Sequence, residues 1–501
     1  ARDAILITYG DQLRDGDTPP LRVLADFCNA QLRGVVSGIH LLPFYPYSSD
    51  DGFSVIDYTA VDPALGTWAD VAEVGRHFRL MFDGVINHVS AHSAWFQAFL
   101  RDEAPYRDYF ITVEDEPDLS QVVRPRALPL LTEFDTAAGR KKVWTTFSAD
   151  QIDLDYHNPA VLVDIIDVLL TYAERGAAFI RLDAIAYLWK EIGTGCIHLP
   201  QTHRVIQLLR AVLDEAAPHV LLITETNVPH ADNLSYFGDG RNEAQLVYNF
   251  ALPPLTLHAL TTGDASALTQ WAADLSLPSH EVTFFNFLAS HDGIGLNPAR
   301  GLLRDAEIDA LVDRALAHGG RVSYKHAADG STRPYELNIN YFDALSDPTS
   351  DEPLDRQVDR FVAAHAIMLA LVGVPGLYFH SLFGSRGWPE GVTQRGHNRA
   401  INRQKLDRAG VERELQDDRS LRRRVFQRLK ALLQARSASP AFDPHGVQRV
   451  LTLSDRVFAV ERAANGARVR CVTNVSRDRQ TVRLETESLT LLPYQTHWIE
   501  L

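Results

Sequence analysis

Eight short apolar runs recur along the chain, and polar or charged residues end each of them. They cover residues 4–10, 38–43, 80–88, 179–185, 221–227, 246–250, 283–292 and 375–380. Segments of helical periodicity, such as 160–176 and 203–217, lie between many of the runs. Buried parallel strands are continuous apolar runs, and repeated strand–helix alternation is typical of a parallel barrel. The sequence therefore predicts an α/β fold, a (β/α)₈ TIM barrel whose site lies at the carboxyl ends of the strands.

Three further segments do not fit a simple barrel. Residues 89–154 and 294–357 are too long for plain loops and are predicted to be insertions after the third and seventh strands. Residues 438–501 change to short alternating strands, which predicts a carboxyl-terminal antiparallel β domain, most simply a sandwich. Residues 417–436 are predicted to form an amphipathic helix whose arginines face solvent. The barrel itself is assigned to residues 1–88, 155–293 and 358–437.

Composition excludes several classes of function. The formal net charge of −15 argues against general nucleic-acid binding. The three cysteines, Cys28, Cys196 and Cys471, have neither the number of a disulfide framework nor the spacing of a zinc site. We find no signal-peptide pattern and no apolar run of membrane-spanning length. We therefore expect a cytoplasmic enzyme that binds neither nucleic acid nor membrane, as a monomer or a homodimer.

Acidic residues collect at the ends of four runs. Taken alone, Asp83 is expected to cap the following helix and His88 to be a hydrogen-bonded core histidine. Several carboxyl groups at one barrel mouth instead favour glycoside cleavage, which needs an ionised and a protonated carboxyl group. The residues concerned are Asp83, Asn87, His88, Arg181, Asp183, Glu225, His291 and Asp292.

Arg181 and Asp183 lie within the apolar run FIRLDAIAY. Burying both charges is costly unless they pair. Two residues apart on a strand, they point to the same face. We expect Arg181 to lower the pKa of Asp183 and keep this carboxylate nucleophilic.

The motifs DGVINH, FIRLDAIAY, ITE and ASHD, in this order and spacing, resemble the four signature regions of the α-amylase superfamily of glycoside hydrolases. With the insertions and the β tail, the resemblance covers nearly the whole chain. It implies that Asp183 is the nucleophile, Glu225 the general acid/base and Asp292 a stabiliser of the transition state. The residues that it implies in binding the glucosyl unit are Arg181, His88 and His291.

Other segments resemble the sucrose phosphorylase branch of this superfamily, among them LPFYPYSSDDGFSVIDY, VVRPRALP and GHNRAINR. Asp50 matches an acid that contacts glucose hydroxyls, and Arg403 matches a second glucose-binding residue, with Arg399 on the same loop. Tyr187 and Phe147 match an aromatic platform beside the sugar, although core packing is the alternative for each aromatic alone. The resemblance implies a donor subsite for one glucose, and hence short α-glucosides as substrates.

The resemblance also bears on metals. Some family members bind calcium through the asparagine equivalent to Asn87, together with acids of the first insertion. We expect no metal here, because the chain has no aspartate-rich loop.

The acceptor side departs from sucrose phosphorylases. Glu336, in YELNINYFDAL, stands where they carry a glutamine, and TETNVPH at 224–230 also differs. The acceptor is then glycerol, glycerate or a fructose phosphate. A carboxylate at 336 accepts hydrogen bonds from hydroxyls and repels anions unless Arg126 or His230 compensates, which favours glycerol. The alternative is that Glu336 lies on the surface.

The resulting hypothesis is a retaining α-glucoside phosphorylase, with 2-O-α-glucosylglycerol as the favoured donor. Asp183 forms a β-glucosyl ester, and inorganic phosphate, a co-substrate rather than a cofactor, takes the glucose as α-glucose 1-phosphate. Arg126, Arg124 and His230 are the candidate phosphate-binding residues, and no cofactor is expected. Three alternatives stay open: a phosphorylase of sucrose, sucrose 6′-phosphate or glucosylglycerate, a hydrolase or transglucosidase, and a catalytically inactive binding protein.

Overall fold

Eight parallel strands form a closed barrel in the computed structural model, which describes residues 3–126, 128–326, 332–485 and 488–501. Neighbouring strands around the barrel are neighbours in the chain, and the last pairs with the first. Each overlaps one of the predicted apolar runs, and the TIM barrel is confirmed. The strands are β1 (Ile5–Thr8), β2 (Gly38–Leu41), β3 (Arg79–Gly84), β4 (Ala177–Leu182), β5 (Leu221–Thr224), β6 (Leu246–Tyr248), β7 (Thr283–Phe287) and β8 (Val374–Tyr378).

Helices cover the outside of the barrel, so nearly every strand residue is buried. Several of these helices begin with a proline, whose fixed φ suits the first helical position and whose missing N–H costs no hydrogen bond there. The longer helices are Pro20–Gln31, Trp68–Val74, Pro159–Glu174, Pro200–Ala216, Leu252–Thr262, Ser266–Asp274, Leu354–Ala370, Arg408–Gln416 and Leu421–Ala438. Short helices at His230–Leu234, Phe379–Leu382 and Pro389–Arg395 and a two-stranded pair, Leu13–Arg14 with Leu406–Asp407, lie among the loops.

Two groups of elements lie between barrel strands. After β3 come a helix, Ala94–Leu100, a pair of short strands, His88–Ser90 with Gln151–Asp153, and a three-stranded sheet. That sheet consists of Thr112–Val113, Gly139–Trp144 and Leu131–Thr136. After β7 come helices Asp305–Ala317 and Tyr341–Leu345 and a second three-stranded sheet, of Ile294–Gly295, Thr332–Asn338 and Arg321–His326.

The carboxyl-terminal region is antiparallel, as predicted. Its main sheet consists of Val447–Ser454, Val457–Ala464, Ala467–Asn474 and Thr496–Glu500. A hairpin, Gln480–Arg483 with Ser488–Leu491, contributes Val482 and Leu491 to a small apolar core shared with Val457 and Val472 of the main sheet. This region therefore has a core of its own beside that of the barrel.

The helix Leu421–Ala438 corrects one expectation. Its arginines do not all face solvent, because Arg422 and Arg436 are buried. Arg422 donates to the carbonyl of Phe383, and Arg436 to those of Leu369 and Gly373. These two arginines therefore tie the helix to the barrel. Within the described ranges, none of the helices has the length and apolar character needed to cross a bilayer.

Candidate active site

The carboxyl groups predicted to be catalytic meet at the carboxyl end of the barrel. Asp183 follows β4 directly and Glu225 follows β5 directly. The amide of Asp183 donates to the carbonyl of Gly84 at 3.1 Å, and that of Glu225 to the carbonyl of Leu182 at 3.1 Å. The backbone hydrogen bonding between the parallel strands β3, β4 and β5 thus extends to Asp183 and Glu225. It fixes how far along the barrel axis these two residues lie. Together with Asp292 they line one cavity of about 70 Å³.

Ten of the residues predicted from the sequence line this cavity. Four more of the predicted substrate-binding residues, Arg181, Arg403, Glu336 and His230, are not on its wall. The ten are Asp50, His88, Arg126, Phe147, Asp183, Tyr187, Glu225, His291, Asp292 and Arg399. A larger crevice of about 830 Å³ lies nearby and shares only Asp50 with this cavity. The carboxyl groups predicted to be catalytic are absent from its described lining, so the smaller cavity is the candidate active site.

Arg181 lies beneath the two carboxyl groups. Its Nη1 is 2.9 Å from Asp183 Oδ1, and its Nη2 is 3.9 Å from Glu225 Oε2. Asp83 accepts a second hydrogen bond from Arg181 Nη1 and is 2.7 Å from His40 Nε2. Asp83 therefore anchors Arg181, and the expectation that it caps a helix is wrong. The paired arrangement expected for Arg181 and Asp183 is present.

The backbone next to Asp183 is strained. Ala184 has φ +49° and ψ +30°, a left-handed conformation that residues with a side chain seldom adopt. In this conformation its amide donates to Glu225 Oε2 at 3.0 Å. The strained residue thus joins the segment carrying one catalytic carboxyl group to the other.

Burial dominates the electrostatics of the two carboxyl groups. Burial raises the pKa of Asp183 against the opposing charge of Arg181, and the nearby Glu225 adds to the rise. The expected net lowering of this pKa is therefore wrong. Burial likewise raises the pKa of Glu225. Two such coupled groups titrate as a pair, and the closer contact with Arg181 favours the negative charge on Asp183 and the proton on Glu225.

Asp292 has the opposite character. Burial alone would raise its pKa, but Arg399, together with His291 and Arg403, holds the pKa well below its ordinary value. Arg399 Nη1 is 2.5 Å from Asp292 Oδ1. The site therefore holds one firmly ionised carboxylate next to a pair that binds a proton more readily.

Arg403 supports the wall at the position predicted for the sugar. Arg403 is buried behind it, with Nη1 3.3 Å from Asp50 Oδ1 and Nε donating to the carbonyl of His291 at 2.9 Å. The ring of Phe53 stacks on His291 at 4.7 Å. Burial lowers the pKa of His291 to about 3, so this imidazole is neutral near pH 7.

The opposite wall is aromatic. Phe147 packs 5.3 Å from the ring of His88 and 5.5 Å, edge to face, from that of Tyr187. His88 Nε2 contacts the carbonyl of Phe53 at 2.8 Å, and burial lowers the pKa of His88. Phe147 and Tyr187 both line the cavity and are only partly buried. Core packing alone therefore does not account for them.

The acceptor side contains residues that sequence reasoning missed. Asn227 and Tyr335 line the cavity beside Arg126. Asn227 Oδ1 has no hydrogen-bond partner within the described part of the chain. Arg126 is one-third exposed, and its single described ion-pair contact, to Asp50 Oδ2, is 3.7 Å long. Two features of the sequence could have indicated them. Asn227 lies in the altered segment TETN, and Tyr335 directly precedes Glu336 in YELN.

Glu336 does not face the acceptor. It is 1% exposed and accepts from Arg399 Nε at 3.0 Å, from Arg399 Nη2 at 2.7 Å and from Asn338 Nδ2 at 2.6 Å. Side chains alternate along the strand Thr332–Asn338, and Tyr335 takes the cavity side. Both the acceptor-facing and the surface placements of Glu336 are therefore wrong. Paired with Arg399 and off the cavity wall, the Glu336 carboxylate gives no reason to exclude anionic acceptors.

Two proposed phosphate ligands also lie elsewhere. The His230 ring packs 6.0 Å from the ring of Trp271. The Arg124 guanidinium donates to the carbonyl of Leu128. Of the three cationic candidates, only Arg126 reaches the cavity.

The strand Ile294–Gly295 pairs with Glu336 and Leu337 very close to the cavity. A Cβ atom on Gly293 would lie 2.6 Å from Glu336 Cγ, and one on Gly295 would lie 2.6 Å from Asn227 Oδ1. Neither position has room for a side chain without movement of its neighbour. The acceptor wall is thus packed directly against these two glycines.

The side-chain oxygen of Asn87 is hydrogen-bonded to a lysine of this chain, so it is not free to bind a cation. Lys190 Nζ donates to Asn87 Oδ1 at 2.8 Å and lies 2.6 Å from Asp153 Oδ2. All three residues are buried. In the described ranges, no cluster of three His, Cys, Asp or Glu side chains is placed to hold a metal ion.

Comparison with known proteins gives a consistent result. The family model for the α-amylase catalytic domain matches residues 34–293. A glucosylglycerate phosphorylase of Allomeiothermus silvanus is 53% identical over 506 residues, which cover 99% of this chain and 91% of that protein. A glucosylglycerol phosphorylase of Marinobacter adhaerens is 29% identical over 88% of each chain. The crystal structure of a sucrose 6F-phosphate phosphorylase from Thermoanaerobacter thermosaccharolyticum is 26% identical and superposes with a TM-score of 0.83 over 98% of both chains.

Proposed function

The chain belongs to the α-amylase family and is a glucosyl-transferring phosphorylase, and on that premise we propose that its donor is a glucosylglycerate. In this proposal, inorganic phosphate is the co-substrate, glycerate and α-glucose 1-phosphate are the products, and no cofactor or metal takes part. A cytoplasmic location is part of the same proposal. The observation that carries the choice of acceptor is the position of Arg126 on the cavity wall with only a weak ion pair.

Charge favours an anionic acceptor. Glu336, the carboxylate expected to repel anions, is neutralised by two hydrogen bonds from Arg399. Arg126 retains most of its capacity to donate, because its described carboxylate contact is 3.7 Å long. Glycerate and phosphate both present a charged oxygen group that a guanidinium binds with paired hydrogen bonds. One cation can therefore serve the acceptor of each direction of the reaction.

Similarity points to the same acceptor. The glucosylglycerate phosphorylase relative is 53% identical, whereas the glucosylglycerol phosphorylase relative is 29% identical. The preference for glycerol derived from the sequence depended on a free carboxylate at 336. With Glu336 paired away from the cavity, we replace glycerol by glycerate as the proposed acceptor.

The first half of the proposed reaction forms a covalent intermediate. A carboxylate oxygen of Asp183 attacks the anomeric carbon, and Glu225 gives its proton to the glycosidic oxygen as this bond breaks. Glycerate leaves and a β-glucosyl ester of Asp183 remains. The ionised Asp292 lies where positive charge develops on the sugar ring.

The second half reverses the proton transfer. A phosphate oxygen attacks the anomeric carbon from the face that glycerate left, and Glu225 accepts the phosphate proton. The ester bond to Asp183 breaks, and α-glucose 1-phosphate is released with retained configuration. The neutral His88 and His291 line the cavity and hold the glucosyl unit through both halves, and the buried Arg403 supports this wall through Asp50 and the carbonyl of His291.

The synthetic direction tests the acceptor. We expect α-glucose 1-phosphate with glycerate to release phosphate with a specificity constant at least tenfold above that with glycerol, fructose or fructose 6-phosphate. Phosphate release with each acceptor, corrected for release into water, gives the four constants. A tenfold preference for glycerol would overturn the glycerate proposal, and release with water alone would argue for a hydrolase.

A further inference from the structure

Arg399 joins the two sides of the active site. Its Nη1 contacts Asp292 at 2.5 Å on the donor side, and its Nε and Nη2 hold Glu336 on the strand Thr332–Asn338. Two of its five N–H groups donate hydrogen bonds to Glu336, and Nη1 forms an ion pair with Asp292. Its side chain is 16% exposed and lines the cavity into which the acceptor must enter. An anion arriving there therefore competes with Asp292 for the same guanidinium.

That competition has a chemical consequence. Asp292 is useful to glucosyl transfer only as an ionised group at a fixed place. Phosphate and glycerate bind guanidinium in the same planar, paired geometry as a carboxylate does. If the incoming anion drew Arg399 away, Asp292 would lose its nearest cation at the moment when positive charge develops on the sugar. A device that holds Arg399 in place would therefore keep this cation on Asp292 when an anionic acceptor enters the cavity.

Glu336 has the geometry of such a device. Glu336 is buried, and it accepts hydrogen bonds from two nitrogens of Arg399 at once. Its own position is set by a 2.6 Å hydrogen bond from Asn338. Paired hydrogen bonds fix the orientation of a guanidinium as well as its position. A glutamine keeps the shape of Glu336 but offers only one acceptor oxygen and no charge. The paired hydrogen bonds that hold Arg399 therefore depend on the carboxylate of Glu336.

We propose that Glu336 is a positioning residue that holds Arg399 on Asp292 while an anionic acceptor occupies the cavity. It touches neither sugar nor phosphate and acts through Arg399. The proposal deepens the proposed function, since it rests on phosphate being an acceptor of the glucosyl enzyme, but it does not depend on which alcohol is the second substrate.

The test compares a charged with a neutral acceptor on one donor. α-Glucosyl fluoride loads Asp183, and the glucosyl ester then passes to inorganic phosphate or to water. For Glu336→Gln we expect kcat with phosphate to fall about tenfold while KM for phosphate stays equal or falls, because the released Arg399 now binds the anion. We expect turnover with water, which carries no charge, to remain within about twofold of wild type.

Two further variants separate positioning from damage to the fold. Arg399→Lys keeps the charge but cannot hold two carboxylates in a planar fork, so we expect turnover with water to fall as well and transfer to phosphate to fall further. Combined with Glu336→Gln it should add little, since both changes release the same contact. Asp343→Asn is the matched control: Asp343 is a buried carboxylate on a neighbouring helix, 2.6 Å from Arg386 Nη1 and absent from the cavity lining. We expect it to lower the melting temperature without separating the two acceptors.

The outcomes distinguish the role of Glu336 from the phosphorylase reaction itself. Equal losses with phosphate and water in Glu336→Gln and Arg399→Lys, or a difference that Asp343→Asn reproduces, would overturn the role of Glu336 and leave the phosphorylase untouched. A wild-type enzyme that transfers glucose to water but forms no α-glucose 1-phosphate would instead overturn the reaction on which the inference rests.

Discussion

The donor side and the acceptor side of the active site are built differently. On the donor side, Asp183 and Glu225 continue the hydrogen-bonded register of barrel strands, and Arg181 and Arg403 are buried behind them with close carboxylate partners. On the acceptor side, Arg126 belongs to the insertion after β3 and has one long contact to a carboxylate. A transferring enzyme needs a fixed geometry for the sugar and adaptable groups for two different acceptors. The difference between the two sides matches that requirement.

The largest effect is expected from removing the nucleophile. Asp183→Asn keeps the shape of the side chain but abolishes the charge that attacks the anomeric carbon. We expect kcat for phosphorolysis to fall by roughly 10³- to 10⁵-fold with every acceptor, while the protein stays folded. Steady-state rates with an unfolding curve give the answer. Retention of a tenth of the wild-type rate would remove Asp183 from the mechanism and leave the donor side without its central residue.

A smaller, donor-dependent effect is expected at the proton donor. Glu225→Gln cannot protonate a poor leaving group, so we expect glucosylglycerate cleavage to fall by roughly 10²- to 10⁴-fold. Formation of the glucosyl ester from α-glucosyl fluoride needs little proton transfer and is expected to persist, which rapid-quench detection of the ester would show. Equal losses on both donors would mean that Glu225 supports the fold rather than the proton transfer.

The acceptor side is tested by Arg126→Gln. Loss of a charged hydrogen-bond donor costs about 1.5–3 kcal/mol, so we expect kcat/KM for phosphate to fall roughly 10- to 100-fold. Hydrolysis of α-glucosyl fluoride is expected to change little, because the one described ion pair of Arg126 with the donor side, to Asp50 Oδ2, is 3.7 Å long. Arg124→Gln, two residues away and outside the described lining of the cavity, serves as the control. If Arg124→Gln weakened phosphate use as strongly, the loss would belong to the loop and not to Arg126.

The smallest expected effect is a displacement of the pH profile. In the proposed mechanism turnover needs Asp183 ionised and Glu225 protonated, and burial raises the pKa of both. As pH falls, activity is lost when Asp183 binds a proton, and as pH rises, it is lost when Glu225 releases one. We therefore expect both limbs of kcat/KM against pH to lie above the ordinary carboxyl range of about 4. An acid limb at or below pH 4 would show that Arg181 outweighs burial at Asp183.

The two sides also differ in what the sequence could predict. The donor side follows from strand ends, because parallel strands bring their carboxyl ends to one place and residues two apart share a face. Arg181 and Asp183 could be paired on that basis alone. The direction in which the pKa of Asp183 shifts could not be predicted, because the sequence does not show how deeply this side chain is buried.

The acceptor side depends on a register that the sequence does not reveal. A shift of one residue in the pairing of Ile294–Gly295 with its partner strand would exchange the directions of Tyr335 and Glu336. The partner of Glu336, Arg399, is 63 residues away, so no local pattern connects them. The same holds for the buried Arg422 and Arg436, whose carbonyl partners Phe383, Leu369 and Gly373 are 39 to 67 residues away.

Gly293 and Gly295 bear on how the acceptor wall can change during evolution. Because a single methyl group at either position would press on Glu336 or Asn227, one codon change can reshape the acceptor pocket. Neither residue is among those that line the cavity in the described structure, so such a change would act on the pocket through Glu336 or Asn227. Descendants of one ancestor can in this way keep the same sugar and exchange the molecule to which it is joined.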